Sequence, residues 1–396
     1  MGSAPRRSSA PTYVAIGAAT GAAHIGNNFT TYLVGGLIDR FGFSPIQMGG
    51  WSMAETLAYA GAMFLVAPRA YGLGPRSLGL AATLLIVTAQ LLSALLSSYP
   101  LLLAGRIATG LGFGLMNSAV NLAAGQTSHP ARAISAGIAV QTLLFAAVNI
   151  GLPMIGTRYG VDGMFVGLAT LSALLGVGTL LMPDAVSGAK DPVVGIRIRI
   201  GADGGRVLLA MALFAFGSLA IWPFVERAAR AIAISAIEFG RYQSVATLLS
   251  AVGNLAMVAV AARLPRALPL SIALIVCGGA CALLTTAPSA PFFAAALIFY
   301  NVSWFIVYPL LLGLAFAVEP GGRLAVMTSG VWLLSQSLGA LGAGMIAQFL
   351  GGYWPLGPLG LIACIAAIVV AWPLARKLDS AADSSAISAA PAVTAD

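Results

Sequence analysis

The chain has 396 residues, of which 59% are hydrophobic and only 8% charged, and its mean hydropathy is +0.94. So little polar surface excludes a soluble fold of this length and indicates an integral membrane protein. The net charge of +8 would suit nucleic acid, but the basic residues are distributed as topology signals, as shown below.

Residues 1–11 form a polar leader with Arg6 and Arg7, and the first apolar run covers residues 12–38, too long for the core of a secretory signal. Five more runs follow, at 45–67, 77–97, 101–125, 132–156 and 163–182, each near the roughly 20 residues that a bilayer requires. Residues 184–205 carry Asp184, Lys190, Asp191, Arg197, Arg199 and Asp203. This longest polar interruption separates one half, 12–183, from another, 206–374. The second half has runs at 206–225, 237–261, 269–287, 291–318, 324–350 and 355–374. The tail, 375–396, is Ala/Ser-rich from Asp379 and is expected to be disordered.

With both termini cytoplasmic, fourteen of the 20 basic residues fall on the inside and five on the outside, namely Arg40, Arg158, Arg227, Arg230 and Arg241. That asymmetry obeys the positive-inside rule and predicts a multi-pass protein of the cell membrane. It also removes nucleic acid as a partner. Arg106 alone lies inside a span.

An internal repeat appears at a constant offset of 191 residues. Ser44, Ile46, Gly49, Thr56, Leu57 and Ala60 recur as Ser235, Ile237, Gly240, Thr247, Leu248 and Ala251, and Pro100, Arg132, Gly151 and Met154 recur as Pro291, Arg323, Gly342 and Met345. Two homologous six-helix halves follow, related by an axis along the membrane normal because six spans preserve orientation.

Twelve spans, a long central loop, a parallel repeat and the fourth-span sequence LLLAGRIATGLGFG, with Arg106 followed by Gly110, together resemble the major facilitator superfamily. The similarity runs from Thr12 to Lys377. It implies an all-α membrane protein of two six-helix pseudo-symmetric bundles, commonly a monomer, that works by alternating access. The loop after the second span, APRAYGLGPRS, departs from the family pattern in having no acid. By the resemblance, spans one, four, seven and ten line a central cavity, with two, five, eight and eleven contributing.

Polar residues on those spans are the candidates. His24, Asn27, Asn28 and Thr31 share one face of the first span. Arg106, Gly110, Gly114, Asn117 and Asn121 share a face of the fourth, which is expected to border a functional cavity, and Glu55 is the one acid well inside a span. Gln141 and Asn149 lie on one side of the fifth. Tyr300, Asn301, Trp304 and Tyr308 follow one another along the tenth, Trp332 and Gln336 lie on the eleventh, and Trp222 ends the seventh. Each has an ordinary alternative, since aromatic residues at helical spacing often pack and lone amides often bond between helices. Ionised groups in spans are functional by default. At the 191 offset Arg106, Glu55 and His24 meet Leu297, Ala246 and Ala215. The first half is therefore expected to handle charge and protons, with Glu55 or His24 as proton carrier and Arg106 as anchor for a substrate carboxylate, unless it simply neutralises Glu55. The second half is expected to receive an apolar or aromatic moiety.

These residues predict a secondary transporter of a small organic solute, preferably an anion, with protons as the coupling partner and the lipid bilayer as its medium. Proton-driven efflux of amphipathic compounds is the alternative, on the strength of NIGLPMIG at 149–156, and a transport-incompetent sensor is a third reading. No cofactor or metal is expected, because His24 and His129 lack ligand spacing and Cys277, Cys281 and Cys364 read as small packing residues. Nor does the sequence offer the nucleotide loop or nucleophile–base pair of an enzyme.

Overall fold

A computed structural model describes residues 10–66, 74–183, 200–261, 264–320 and 322–389. Its helices are α1 (Ala10–Phe41), α2 (Pro45–Val66), α3 (Pro75–Leu95), α4 (Tyr99–Gly125), α5 (Pro130–Val177), α6 (Ala202–Ala220), α7 (Val225–Ala231), α8 (Ala236–Ala261), α9 (Ala267–Thr286), α10 (Ala290–Val318), α11 (Arg323–Phe349) and α12 (Leu356–Ala389). Proline starts α3, α4, α5 and α10 within their first two residues, where its missing N–H costs nothing.

Three of these helices, α5, α6 and α7, do not correspond to single spans. The expected fifth and sixth spans are the two limbs of α5, which turns back at Gly160 with φ 67° and ψ −167°, a conformation open to glycine. The expected seventh span is α6, a 3-10 turn at Trp222–Phe224 that contains Pro223, and then α7. Pro223 cannot donate to the helix, so the chain breaks there and restarts. Among the described residues eight stretches are long and apolar enough to cross a membrane, and α1, α2 and α8 are not among them. Those three helices carry His24, Glu55 and Gln243 among other polar groups. With α5 counted as two crossings and α6–α7 as one, the fold has the twelve crossings expected of a multi-pass membrane protein.

The tail expected to be disordered is helical as far as Ala389. Asp379 anchors its start by accepting from the backbone N–H groups of Arg266 at 2.7 Å and Ala267 at 3.0 Å, and Lys377 bonds Asp203 at 2.7 Å. Alanine then propagates the helix. The acid-free loop falls mostly outside the described residues, as does the central loop 184–199.

The repeat is visible in the contacts. Ser44 and Gln47 cap α2 reciprocally, at 2.9 and 3.2 Å, and Ser235 and Glu238 cap α8 at the same two distances. Between the bundles, Gly49 on α2 lies against Ala340 and Gly344 of α11, and Gly240 on α8 lies against Asn149 and Pro153 of α5. Those partners are themselves 191 apart, so the two seams are pseudo-twofold equivalents. A methyl group at Gly49 would sit 2.5 Å from the Ala340 carbonyl oxygen, and one at Gly240 would overlap that of Asn149. Small residues permit this approach, which is how helices associate without a hydrophobic driving force between them.

We call the side where α1 begins and α12 ends the near face and the opposite side the far face. Both seams lie toward the far face. Gly240→Val therefore is expected to part the bundles there, and a cysteine placed at Asn149 in that background should react with a membrane-impermeant thiol reagent several times faster than in the parent. The three native cysteines are buried and give little background.

Candidate functional site

Among the described residues, the first bundle holds one buried ion pair. Arg106 Nη1 on α4 is 2.7 Å from Glu55 Oε2 on α2, and both side chains are 4% exposed. The guanidinium carbon lies over Trp51, 3.8 Å from the ring centroid, and Nη2 donates to Thr30 Oγ1 at 2.5 Å. Thr30 in turn donates to the Gly26 carbonyl at 2.8 Å. A side chain at Gly26 would fall 2.5 and 2.6 Å from the Glu55 carboxylate oxygens. Three helices thus converge on one pair.

This arrangement corrects the expectation for the fourth span. Gly110 and Gly114 do not line a cavity; they press on the backbone of α2 at Glu55 and Tyr59, which brings the carboxylate to the arginine. Asn117 on the same face points its amide at Met63 Sδ, 3.5 Å away, and Asn121 is exposed. Arg106 is neutralised by Glu55, so in this structure it is not the free anchor for a carboxylate. The equivalent positions in the second bundle, Ala246 and Leu297, are both fully buried. An apolar pair therefore fills this place in the scaffold equally well.

Among the described residues, the polar ties between the bundles run from the midplane to the far face. Gln336 Nε2 donates to Asn27 Oδ1 at 2.6 Å and Trp222 Nε1 donates to the Asn27 carbonyl at 2.7 Å. One turn further, the Glu226 backbone N–H donates to Thr31 Oγ1 at 3.0 Å, and Asn149 Nδ2 donates to Thr247 Oγ1 at 3.2 Å. At the rim Asp39 bonds Arg227 at 2.6 Å and Arg230 at 2.7 Å, Arg230 also bonds Glu226, and Arg227 bonds the Gly35 carbonyl. Thr31 is accordingly part of the seal and does not reach toward a solute. Among the described residues, near-face polar ties include Arg76 to Met182 at 2.9 Å within the first bundle, and Lys377 to Asp203 and Asp379 to Arg266 within the second. There Phe64, near the end of α2, is 67% exposed, and its ring lies close to Gly330 of α11.

Inside the seal, on the near side of the Asn27–Gln336 bond, the structure brings together part of the expected site. Trp304 and Tyr308 of α10 stack with their ring planes 6° apart, and Trp332 of α11 lies 6.0 Å from the first and 5.1 Å from the second. Phe214 of α6 stacks on Trp304. All three of Trp304, Tyr308 and Trp332 are half-buried. From the first bundle come His24, whose Nδ1–H donates to the Thr20 carbonyl at 2.9 Å, Asn28, whose amide donates to the His24 carbonyl, and Tyr59, 6.5 Å from His24. Tyr300 and Asn301 sit elsewhere: Tyr300 is buried with its hydroxyl on the Ser218 carbonyl at 2.9 Å, and Asn301 pairs with Gln243 at 3.2 Å inside the second bundle. They stand one turn nearer the far face than Trp304, where Trp222 stacks on Tyr300 with its ring plane 12° away. Gln141 is half-buried beside the face of α5 that packs on α1 through Gly137, Val140 and Leu144.

Sequence reasoning misses Trp51, Thr30 and Gly26 around the ion pair, and the rim charges Asp39, Glu226, Arg227 and Arg230. A signal for the last group exists, because Asp39 and Arg230 are 191 apart. Residues equivalent by the repeat touch each other where their helices flank the pseudo-twofold axis, and here they carry opposite charges.

No protein-family model matches the sequence, and no curated protein matches it. Solved structures do. The chain is similar to the nucleoside transporter NupG with a TM-score of 0.71 at 13% identity, covering 93% of this chain and 98% of that one. It is similar to a peptide transporter POT in complex with sulfate, at 0.73 and 12% identity over 95% and 98%. A D-xylose-proton symporter aligns at 0.67 and 15% identity over 90% and 96%. Taken with the two pseudo-symmetric bundles, this is the fold of the major facilitator superfamily.

Removing one member of a buried pair strands the other charge, at about 3–5 kcal/mol. Glu55→Ala and Arg106→Leu singly should thus lower the thermal midpoint of the purified protein strongly. The double variant, which copies Ala246 and Leu297, should recover most of that loss in the same melting measurement.

Proposed function

We propose that the protein is a secondary active transporter that moves a small organic solute across the cell membrane by alternating access, coupled to protons through Glu55, with both termini cytoplasmic. The observation that carries this reading is the set of hydrogen bonds that joins the halves from Asn27 and Gln336 to the far-face rim at Asp39, while among the described residues the near-face ties of Arg76 and Lys377 lie within their own halves. A central polar and aromatic surface closed from one side is what a rocking two-bundle carrier needs. The neighbours named for nucleosides, xylose with protons, and peptides supply the class of cargo by analogy.

The coupling runs along α1. Gly26 and Thr30 hold the Glu55–Arg106 pair, and five to nine residues on, Gly35 and Asp39 hold the far-face closure on the same helix. A proton on Glu55 leaves Arg106 unpaired in a low-dielectric interior, which shifts the balance of contacts on α1 and hence on the rim. The proton and the seal are then two ligands of one helix. An organic anion loses its favoured status, since the cation expected to attract it is already neutralised.

The test is transport in proteoliposomes with radiolabelled nucleosides, xylose, dipeptides and carboxylates, with and without an imposed pH gradient. Glu55→Gln is expected to abolish accumulation driven by the gradient while downhill exchange of the same solute persists. Normal concentrative uptake by the Glu55→Gln protein would remove Glu55 from the coupling. Absence of flux for every solute would remove the transport reading itself.

A further inference from the structure

The aromatic cluster at the midplane carries polar groups without partners. Trp304 Nε1 and Trp332 Nε1 are both closed off from solvent and neither donates a hydrogen bond, and Gln336 Oε1 accepts none although Gln336 is 5% exposed. The Gln336 amide nitrogen is already committed to Asn27. Buried donors and acceptors are nearly always satisfied in folded proteins, so three unsatisfied groups in one cluster call for a partner. Packing does not explain them, since phenylalanine at either tryptophan position would fill most of the volume and desolvate no N–H. The two indole rings that carry these donors, and Tyr308 beside them, are half-buried.

Their chemistry defines what they would receive. Two indole N–H groups require two hydrogen-bond acceptors, and an amide oxygen requires one donor. The parallel faces of Trp304 and Tyr308, with Trp332 tilted across them, favour a flat ring system in contact with them. Charge supplies the third condition. The ionised pair nearest the midplane, Glu55 with Arg106, is internally balanced, and an ion brought into this apolar setting without a counter-charge loses its hydration uncompensated. Saccharides satisfy the hydrogen bonds but lack the flat face, and simple arenes have the face but lack the acceptors.

We propose that Trp304, Trp332 and Gln336 form the specificity site for a neutral, planar heteroaromatic solute that offers two hydrogen-bond acceptors and one donor along its edge, as a nucleobase does. This rests on the transport reading for its biological use, but binding itself does not require transport.

The experiment is equilibrium binding by the full-length protein in detergent, measured by calorimetry with uracil, adenine and hypoxanthine as neutral heteroaromatics, indane as a flat arene without acceptors, benzoate as an anion and xylose as a non-planar neutral solute. At least one heteroaromatic is expected to bind more tightly than indane, benzoate and xylose. Trp304→Phe and Trp332→Phe keep a ring and delete only the donor, and each should weaken that compound about tenfold while leaving indane unchanged. Monodispersity and the melting curve confirm that both variants fold. Binding confined to benzoate, a panel that is silent throughout, or heteroaromatic affinity untouched by both phenylalanine variants would overturn the proposal. A silent binding panel beside robust flux of another solute overturns this inference alone. Retained heteroaromatic binding with no flux of any solute overturns the transport reading alone.

Discussion

A carboxylate and a guanidinium held 2.7 Å apart inside an apolar bundle set the terms for the rest of this molecule. Neither group can be carried into hydrocarbon without the other, so α2 and α4 must be close enough to join them, and Gly110 and Gly114 exist at their interface to allow it. The pair in turn fixes α1, because Gly26 is flattened against the carboxylate and Thr30 accepts from the guanidinium. From that fixed point α1 projects to the far-face rim, where Thr31, Gly35 and Asp39 meet α7. One electrostatic requirement therefore orders the helix that closes the protein on one side.

The second bundle shows what the pair is for by doing without it. Its glycine seam, its reciprocal cap and its helix packing reproduce those of the first bundle at an offset of 191 residues, yet alanine and leucine stand where glutamate and arginine stand in the first. A buried ion pair stabilises no better than a packed apolar pair of similar volume and costs more to desolvate. The two bundles thus differ in what they bury near the midplane: a charge pair on one side of the axis and a cluster of aromatic rings on the other. At the axis itself the division becomes contact, since Asp39 and Arg230 are the same repeat position with opposite charges.

Much of this was legible in the sequence, for identifiable reasons. Hydropathy, basic-residue placement and the ungapped repeat define twelve crossings in two halves because a bilayer tolerates few other arrangements. Glu55 and Arg106 stood out because ionisable groups in spans are rare. Helical periodicity also indicated a common face for Tyr300 through Tyr308, but it could not tell which part of that face turns inward, and Tyr300 and Asn301 proved to be bonded within their own bundle. The face of α4 was misread because glycines that line a cavity and glycines that admit a neighbouring backbone look alike in a sequence. The rim network was hidden for a different reason. Its charges lie at span ends, where topology already explains a charge, and only the three-dimensional return of α7 onto α1 brings them together.

The central claim is that the two faces open in alternation about a midplane held by α1, and inter-bundle distances test it most directly. Spin labels on cysteines replacing the exposed residues Thr157 and Arg241 report the far face, and labels replacing Arg132 and Arg323 report the near face. Pulsed dipolar spectroscopy of each pair in nanodiscs, in mildly acidic and mildly alkaline buffer, should show two populations per pair whose weights shift with pH in opposite directions, and that shift should vanish with Glu55→Gln. A single distance for each pair that is indifferent to pH, or two faces that widen together, would contradict the account.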